Sequence, residues 1–179
     1  MNKLLVSVGV AAMLATPAFA ALQPGAKAPD FAARASIGGK QFDFALGEAL
    51  KKGPVVLYFY PAAFTPGCTI EAHNFADAME DFQKLGATVI GVSHDSIQTL
   101  DRFSLTECRS KFPVAADTTG EIMKSYDAVQ DSRAEYAERV SYVIAPDGRV
   151  LYSYTAGDPT HHVEYTMAAV RKYAADAKR

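Results

Sequence analysis

What the sequence lacks narrows it first. Lys and Arg number 18 against 20 Asp and Glu, a net charge of −2, so there is no basic excess to hold nucleic acid. Beyond residue 20 no hydrophobic run approaches the ~20 residues of a bilayer span, and that part reads as soluble, with no membrane contact. No phosphate-cradling glycine loop is present, and no nucleotide, flavin, haem or metal is assigned. Internal repeats, low-complexity tracts and Ser/Gly linkers are missing too. A chain of 179 residues with 49% hydrophobic and 21% charged residues is then one ordered domain rather than a disordered one. Cysteine is scarce: Cys68 and Cys108 are the only two, and no Cys-x-x-Cys pair exists to act as an exchange dithiol.

What is present begins with the N-terminus. Lys3 precedes the uncharged apolar run Leu4–Leu14, and Ala18-Phe19-Ala20 follows as a small-x-small site. This is the layout of a secretory signal peptide. Cleavage after Ala20 is expected to leave a domain of residues 21–179, exported and, in a bacterium, periplasmic. No Cys follows the cleavage site, which excludes a lipid anchor there. In an oxidising compartment two cysteines suggest one disulfide. A purely structural bridge stabilising the fold by ~4 kcal/mol therefore competes with any catalytic reading of them.

Pattern gives the elements. Gln23–Asp30 reads as an extended arm, because Pro and Gly discourage helix. Pro54–Tyr60, Thr88–Ser93 and Arg139–Ile144 are short β-branched and aromatic runs, hence buried strands. Pro146-Asp147-Gly148 is a turn that joins the last of these to Arg149–Tyr154 as a hairpin. Phe75, Met79 and Phe82 recur at helical spacing within Pro66–Leu85. A second helix is predicted over Gln98–Ser110 and a short one after Gly120. A last helix is predicted from Asp158-Pro159, with Val163, Met167, Val170 and Ala174 as its apolar stripe. Strands separated by helices pair in parallel and the hairpin adds antiparallel strands, so the expected fold is α/β, a mixed central sheet flanked by helices.

The stretch from Pro61 to Glu71 (PAAFTPGCTIE) joins the first strand to the first helix and places Cys68 in that helix's opening turn. Unpaired backbone N–H groups and the positive end of the helix dipole lie there, and both favour a thiolate. Cys68, Phe75 and Phe82 repeat every seven residues, which puts the sulfur on the inward stripe. Position alone leaves Cys68 equally readable as a small core residue.

The flanking residues decide between these readings. Pro61-x-x-x-Thr65-x-x-Cys68 resembles the active-site signature of the peroxiredoxins, and FYPAAFTPGCTIE resembles the bacterioferritin-comigratory-protein, or PrxQ, branch. The resemblance runs from Ala28-Pro29-Asp30-Phe31 to the final helix. It implies a thioredoxin-like fold and a thiol-dependent peroxidase without a cofactor. It also implies that the thiolate of Cys68 attacks a peroxide O–O bond to form sulfenic acid. Thr65 would offer its hydroxyl to thiolate and peroxide, and Pro61 would shield the sulfur from water. Arg139, opening the Arg139-Val140-Ser141 strand, would complete the site, and Glu71 would pair with an Arg. First-turn dipole stabilisation is an equal alternative for Glu71. The implied partners are a peroxide and a thioredoxin-like or other dithiol reductant, with the enzyme a monomer or weak homodimer.

Ionisation alone is too small an effect to account for such an enzyme. An ordinary Cys is about 3% thiolate at neutral pH, so full ionisation gains at most ~30-fold, or ~2 kcal/mol. Oriented donors on the departing oxygen, each contributing ~3 kcal/mol in a dry site, must supply more.

The sequence departs from the branch at its second thiol. His73 stands five residues after Cys68, where many members carry the resolving Cys, and Ser104 fills the other recognised place. Cys108, one helical turn beyond Ser104, is the displaced resolving candidate. His161-His162 reads as a surface pair, and His94-Asp95 as a strand end that shapes its loop. The alternatives to a peroxidase are an exported thiol–disulfide oxidoreductase, disfavoured by Thr65 three residues before Cys68, and a redox-inert thioredoxin-like binding module. Glutathione-peroxidase relatives carry a site Trp, and this chain has no Trp.

Overall fold

The structure, a computed structural model, describes residues 21–177; the expected signal peptide lies outside the described residues. The chain opens with a hairpin of β1 (Ala32–Ile37) and β2 (Lys40–Ala45). Gly38 and Gly39 close it at positive φ, 56° and 75°, where glycine has no Cβ penalty. Then come α1 (Leu46–Leu50), β3 (Val55–Phe59), α2 (Pro66–Lys84), β4 (Thr88–Ser93), α3 (Ile97–Thr106), β5 (Val114–Ala116) and α4 (Glu121–Ser125). A small ribbon of β6 (Val129–Gln130) and β7 (Arg133–Ala137) precedes β8 (Val140–Ile144), β9 (Val150–Thr155) and α5 (His162–Asp176).

Seven strands form one sheet in the order β2-β1-β5-β4-β3-β8-β9. β3, β4 and β5 pair in parallel; β8 and β1 flank them antiparallel. This is the mixed, helix-flanked sheet expected from the sequence. β3 is buried on both faces, so its alternate residues feed two cores. Val55, Leu57 and Phe59 pack with Tyr126 and Tyr142, beside residues of α1 and α4. Val56, Tyr58 and Tyr60 pack with Phe75, Phe82 and Phe103, under α2, α3 and α5. Each such side chain contributes ~1.5–3 kcal/mol on burial. Phe75 stacks on Tyr58 with ring centroids 4.5 Å apart. The Tyr58 ring lies across Gly91 of β4, where a Cβ would come within 2.6 Å of it.

Several boundaries move. α3 ends at Thr106, not Ser110, because the N–H groups of Glu107 and Cys108 both close onto the Phe103 carbonyl. Arg109 and Ser110 then turn through positive φ, 51° and 57°, and leave Cys108 beyond the helix. α5 starts at His162 rather than at Asp158-Pro159. The Asp158 carboxylate accepts from the Thr160 N–H at 2.9 Å and so caps a turn instead of a helix. Arg139 precedes β8 instead of opening it. The Gln23–Asp30 arm is pinned along the hairpin turn, with Ala28 N–H on Gly148 O and Val150 N–H on Ala26 O, each at 2.9 Å.

Candidate active site

The loop after β3 is set from two sides. Asp95, just past the end of β4, accepts from the Ala63 N–H at 2.7 Å and from the Ser93 hydroxyl at 2.8 Å. Phe64 takes φ 64°, a left-handed value rare outside glycine, and its ring meets Phe103 edge-on at 5.2 Å. Pro61, half-buried, begins this loop, and Thr65 ends it as the N-cap residue of α2. The Thr65 hydroxyl donates to the Ala62 carbonyl at 2.9 Å. Its proton is thus turned toward the loop, while its oxygen lone pairs remain able to accept.

Pro66 occupies the first helical position, where its missing N–H leaves no bond unmade. Cys68 follows two residues later, a free thiol 1% exposed. It sits among the backbone N–H groups that the helix start leaves without intrahelical partners. Arg139, 5% exposed, reaches across from the residue before β8. Its Nη2 donates to Cys68 Sγ at 3.4 Å. Its Nη1 donates to Glu71 Oε2, and its Nε donates to the Gly157 carbonyl at 3.0 Å. Gly67 makes room for this reach: a Cβ there would lie 3.0 Å from Arg139 Nη2.

Glu71 is fully buried one turn beyond Cys68. Burial pushes its carboxyl up to about 8, against the opposing pull of Arg139. Glu71 is therefore an Arg partner in the interior rather than an exposed first-turn charge. Arg139 is itself held above its ordinary range; burial works against that, but its interactions with Glu71 and Cys68 outweigh it.

His162 corrects the surface reading of the His161-His162 pair. His161 is exposed and pairs with Glu164 at 2.9 Å, but His162 is fully buried. Its Nδ1 lies 2.8 Å from the Ser141 hydroxyl and 3.5 Å from Glu71 Oε1, and its Nε2 is 3.0 Å from the Ala156 carbonyl. No local pattern announces this, since burial of His162 depends on β8 and α2, both distant in sequence. Asp95 was more legible: polar residues just past the carboxyl end of a parallel strand lie where α/β sheets form their sites.

Cys108 is fully buried in the core that also contains Cys68. Burial, and then the charge of Glu107, push its thiol well above the ordinary range. Two polar contacts from α2 flank it: a hydrogen bond between His73 and Glu107 at 2.9 Å and an ion pair of Asp77 with Arg109 at 2.5 Å. His73, in the place of the second thiol, thus holds the Cys108 segment. Ser104 is buried and structural: its hydroxyl donates to the Asp101 carbonyl and accepts from Gly39 N–H and Ser36, which ties α3 to the first hairpin.

Known proteins share this architecture. The AhpC/TSA family model matches residues 24–153. Peroxiredoxin Bcp of Xanthomonas campestris pv. campestris is 29% identical over 125 residues, 67% of this chain and 78% of that protein. The chloroplastic peroxiredoxin Q of Triticum aestivum is 35% identical over 122 residues, 68% of this chain, which spans 56% of that longer relative. The crystal structure of peroxidoxin BcpB from Mycobacterium tuberculosis superposes with a TM-score of 0.76 at 28% identity, covering 84% of this chain and 97% of that one. A family model that spans most of the described residues, on a fold that brings Cys68, Glu71 and Arg139 together, places the chain in the AhpC/TSA family: it is a peroxiredoxin, a thiol-dependent peroxidase on a thioredoxin-like fold.

Proposed function

We propose that Cys68 is the peroxide-attacking thiol of a PrxQ-like enzyme that reduces hydrogen peroxide and organic hydroperoxides. The contact of Arg139 Nη2 with Cys68 Sγ at the start of α2 carries this reading. The guanidinium and the free N–H groups stabilise negative charge on sulfur and, in the transition state, on the departing oxygen. In the reaction the thiolate attacks the terminal, hydrogen-bearing oxygen of the peroxide. An S–O bond forms as the O–O bond breaks, sulfur is oxidised by two electrons to sulfenic acid, and the alkoxide leaves and takes up a proton. The Thr65 oxygen can accept from the peroxide hydroxyl, and Pro61 limits water at the sulfur. Steady-state peroxide consumption with a dithiol reductant tests the reading; consumption no faster than without protein would overturn it.

Thr65→Val should slow the oxidation of Cys68 by at least ~tenfold, because it removes the hydroxyl oxygen proposed to accept from the peroxide while keeping the shape of the side chain. Rapid-mixing rates equal to wild type would remove Thr65 from the site.

Cys108 is proposed to resolve the sulfenic acid within the same chain. Its sulfur attacks the Cys68 sulfur, water leaves, and the disulfide is then reduced by a thioredoxin-like or other dithiol protein. A buried thiol is a poor nucleophile, so the Cys108 segment must open after oxidation. The flanking His73–Glu107 and Asp77–Arg109 pairs resist this weakly, at up to ~1 kcal/mol each for partly exposed pairs. Cys108→Ser should consume the first equivalent of peroxide at nearly the wild-type rate. Its sulfenic acid should then persist and over-oxidise with excess peroxide. Cycling as fast as wild type with a protein dithiol would make the enzyme one-Cys; a bridge present on isolation and hard to reduce would favour a structural role. Export to the periplasm and a monomer or weak homodimer complete the proposal, supported by the signal-peptide pattern at Lys3–Ala20 and by the branch resemblance.

A further inference from the structure

The buried cluster at Cys68 holds two acids, Cys68 and Glu71, on one guanidinium, Arg139. The two carboxylate oxygens of Glu71 have different surroundings. Oε2 accepts from Arg139 Nη1, whereas Oε1 is buried without a hydrogen-bond partner and faces His162 Nδ1 at 3.5 Å. The protonation of His162 follows from its other contacts. Nε2 lies 3.0 Å from the Ala156 carbonyl, which can only accept, so Nε2 carries the proton. Burial keeps the ring neutral, so Nδ1 presents its one lone pair, which takes the Ser141 hydroxyl at 2.8 Å.

Glu71 Oε1 therefore meets a lone pair, not a donor. An ionised Glu71 would leave this oxygen's charge unpaired in the interior, where such groups are costly. A protonated Oε1 carries no charge to leave unpaired, and its hydrogen can share the Nδ1 lone pair with the Ser141 hydroxyl as the longer arm of a three-centre bond. Charge balance agrees: one guanidinium offsets one buried anion, not two. Burial holds Glu71 up, at about 8, and holds His162 down, at about 4. The other groups around the pair do not supply the missing donor charge. Tyr58 of β3 lies near Glu71 and is kept protonated by burial, Asp158 near His162 is an acid, and the Tyr154 ring packs edge-on against His162 at 4.8 Å.

We propose that His162 is a positioning residue for the Cys68 thiolate: its neutral Nδ1 keeps Glu71 protonated on Oε1, so the buried proton rests on Glu71 and the charge of Arg139 is left to sulfur. The inference rests on Cys68 being the reactive thiol, but its readouts do not require turnover. In the reduced protein at neutral pH, infrared spectroscopy should show a protonated buried carboxyl band that Glu71→Gln lacks. Glu71→Gln should leave the Cys68 thiol titration within about twofold of wild type in proton affinity, because a neutral group replaces a neutral group. His162→Gln retains an N–H for Ala156 but loses the Nδ1 lone pair. It should weaken the carboxyl band and make Cys68 hold its proton about tenfold more tightly, one pKa unit. The double variant Glu71→Gln/His162→Gln should restore the titration. Absence of the band in wild type, or a Cys68 thiolate about tenfold easier to form in Glu71→Gln, would show an ionised Glu71 and overturn the proposal. A folded His162→Gln with both readouts unchanged would do the same. The first two measurements stand even if His162→Gln does not fold, and the carboxyl band is read whether or not Cys68 reacts with peroxide.

Discussion

Replacing Cys68 with serine should abolish thiol-dependent peroxide reduction while leaving the fold in place. A serine hydroxyl is not ionised at neutral pH, so the attacking electron pair is lost outright. The rate should fall by at least ~10³-fold, the scale of losing an attacking side chain. Stability should change little. Cys68 is 1% exposed and packs beside Ala72 and Phe75, and a serine oxygen occupies slightly less space while still accepting from Arg139 Nη2. The check is peroxide consumption with a dithiol, alongside circular dichroism and a melting curve. A variant with an intact melt and normal turnover would remove Cys68 from the chemistry and leave the core reading of that residue standing.

The second large effect is expected at Arg139. Arg139→Met keeps the length of the side chain but removes the guanidinium that touches Cys68, Glu71 and Gly157 together. Oxidation by peroxide should slow by ~10²–10³-fold, the effect of losing one oriented donor on a developing oxyanion. Cys68 should also become harder to ionise, through loss of the adjacent positive charge. The buried Glu71 carboxyl loses its Arg139 donor, which costs ~1–3 kcal/mol. A lower melting temperature should therefore accompany the slower rate. Rapid-mixing kinetics and thiol titration read the two chemical effects separately; both unchanged would make Arg139 an ordinary structural charge.

How much of this was legible in the sequence depends on how local the cause is. The Cys68–Phe75–Phe82 heptad places the sulfur correctly because a helix's inward stripe is set by its own periodicity. Thr88–Ser93 matches β4 residue for residue, since a β-branched run between a helix and a polar cluster has few other uses. The β1–β2 hairpin was missed because Ala, Arg, Gln and Asp dilute its strand signal. Its turn signal, Gly38-Gly39 between alternating residues, was there to be used. Asp158-Pro159 misled because Asp before Pro suits a tight turn as well as a helix start. Arg139 could be placed only by resemblance, since a charge at a strand end is ordinary. His162 had no signal at all: the groups that bury it, Glu71 and Ser141, converge only when α5 packs on α2 and β8.

The central claim is that peroxide oxidises Cys68 first. The direct measurement uses reduced Cys108→Ser protein, so that no disulfide hides the intermediate. One equivalent of hydrogen peroxide is added with a sulfenic-acid trap such as dimedone, and the peptides are read by mass spectrometry. The account predicts near-complete trapping on the peptide that carries Cys68, with the adduct forming at least ~10²-fold more slowly when Arg139 is also replaced by Met. Peroxide consumed without an adduct on Cys68, or an adduct that forms equally fast without Arg139, would contradict it.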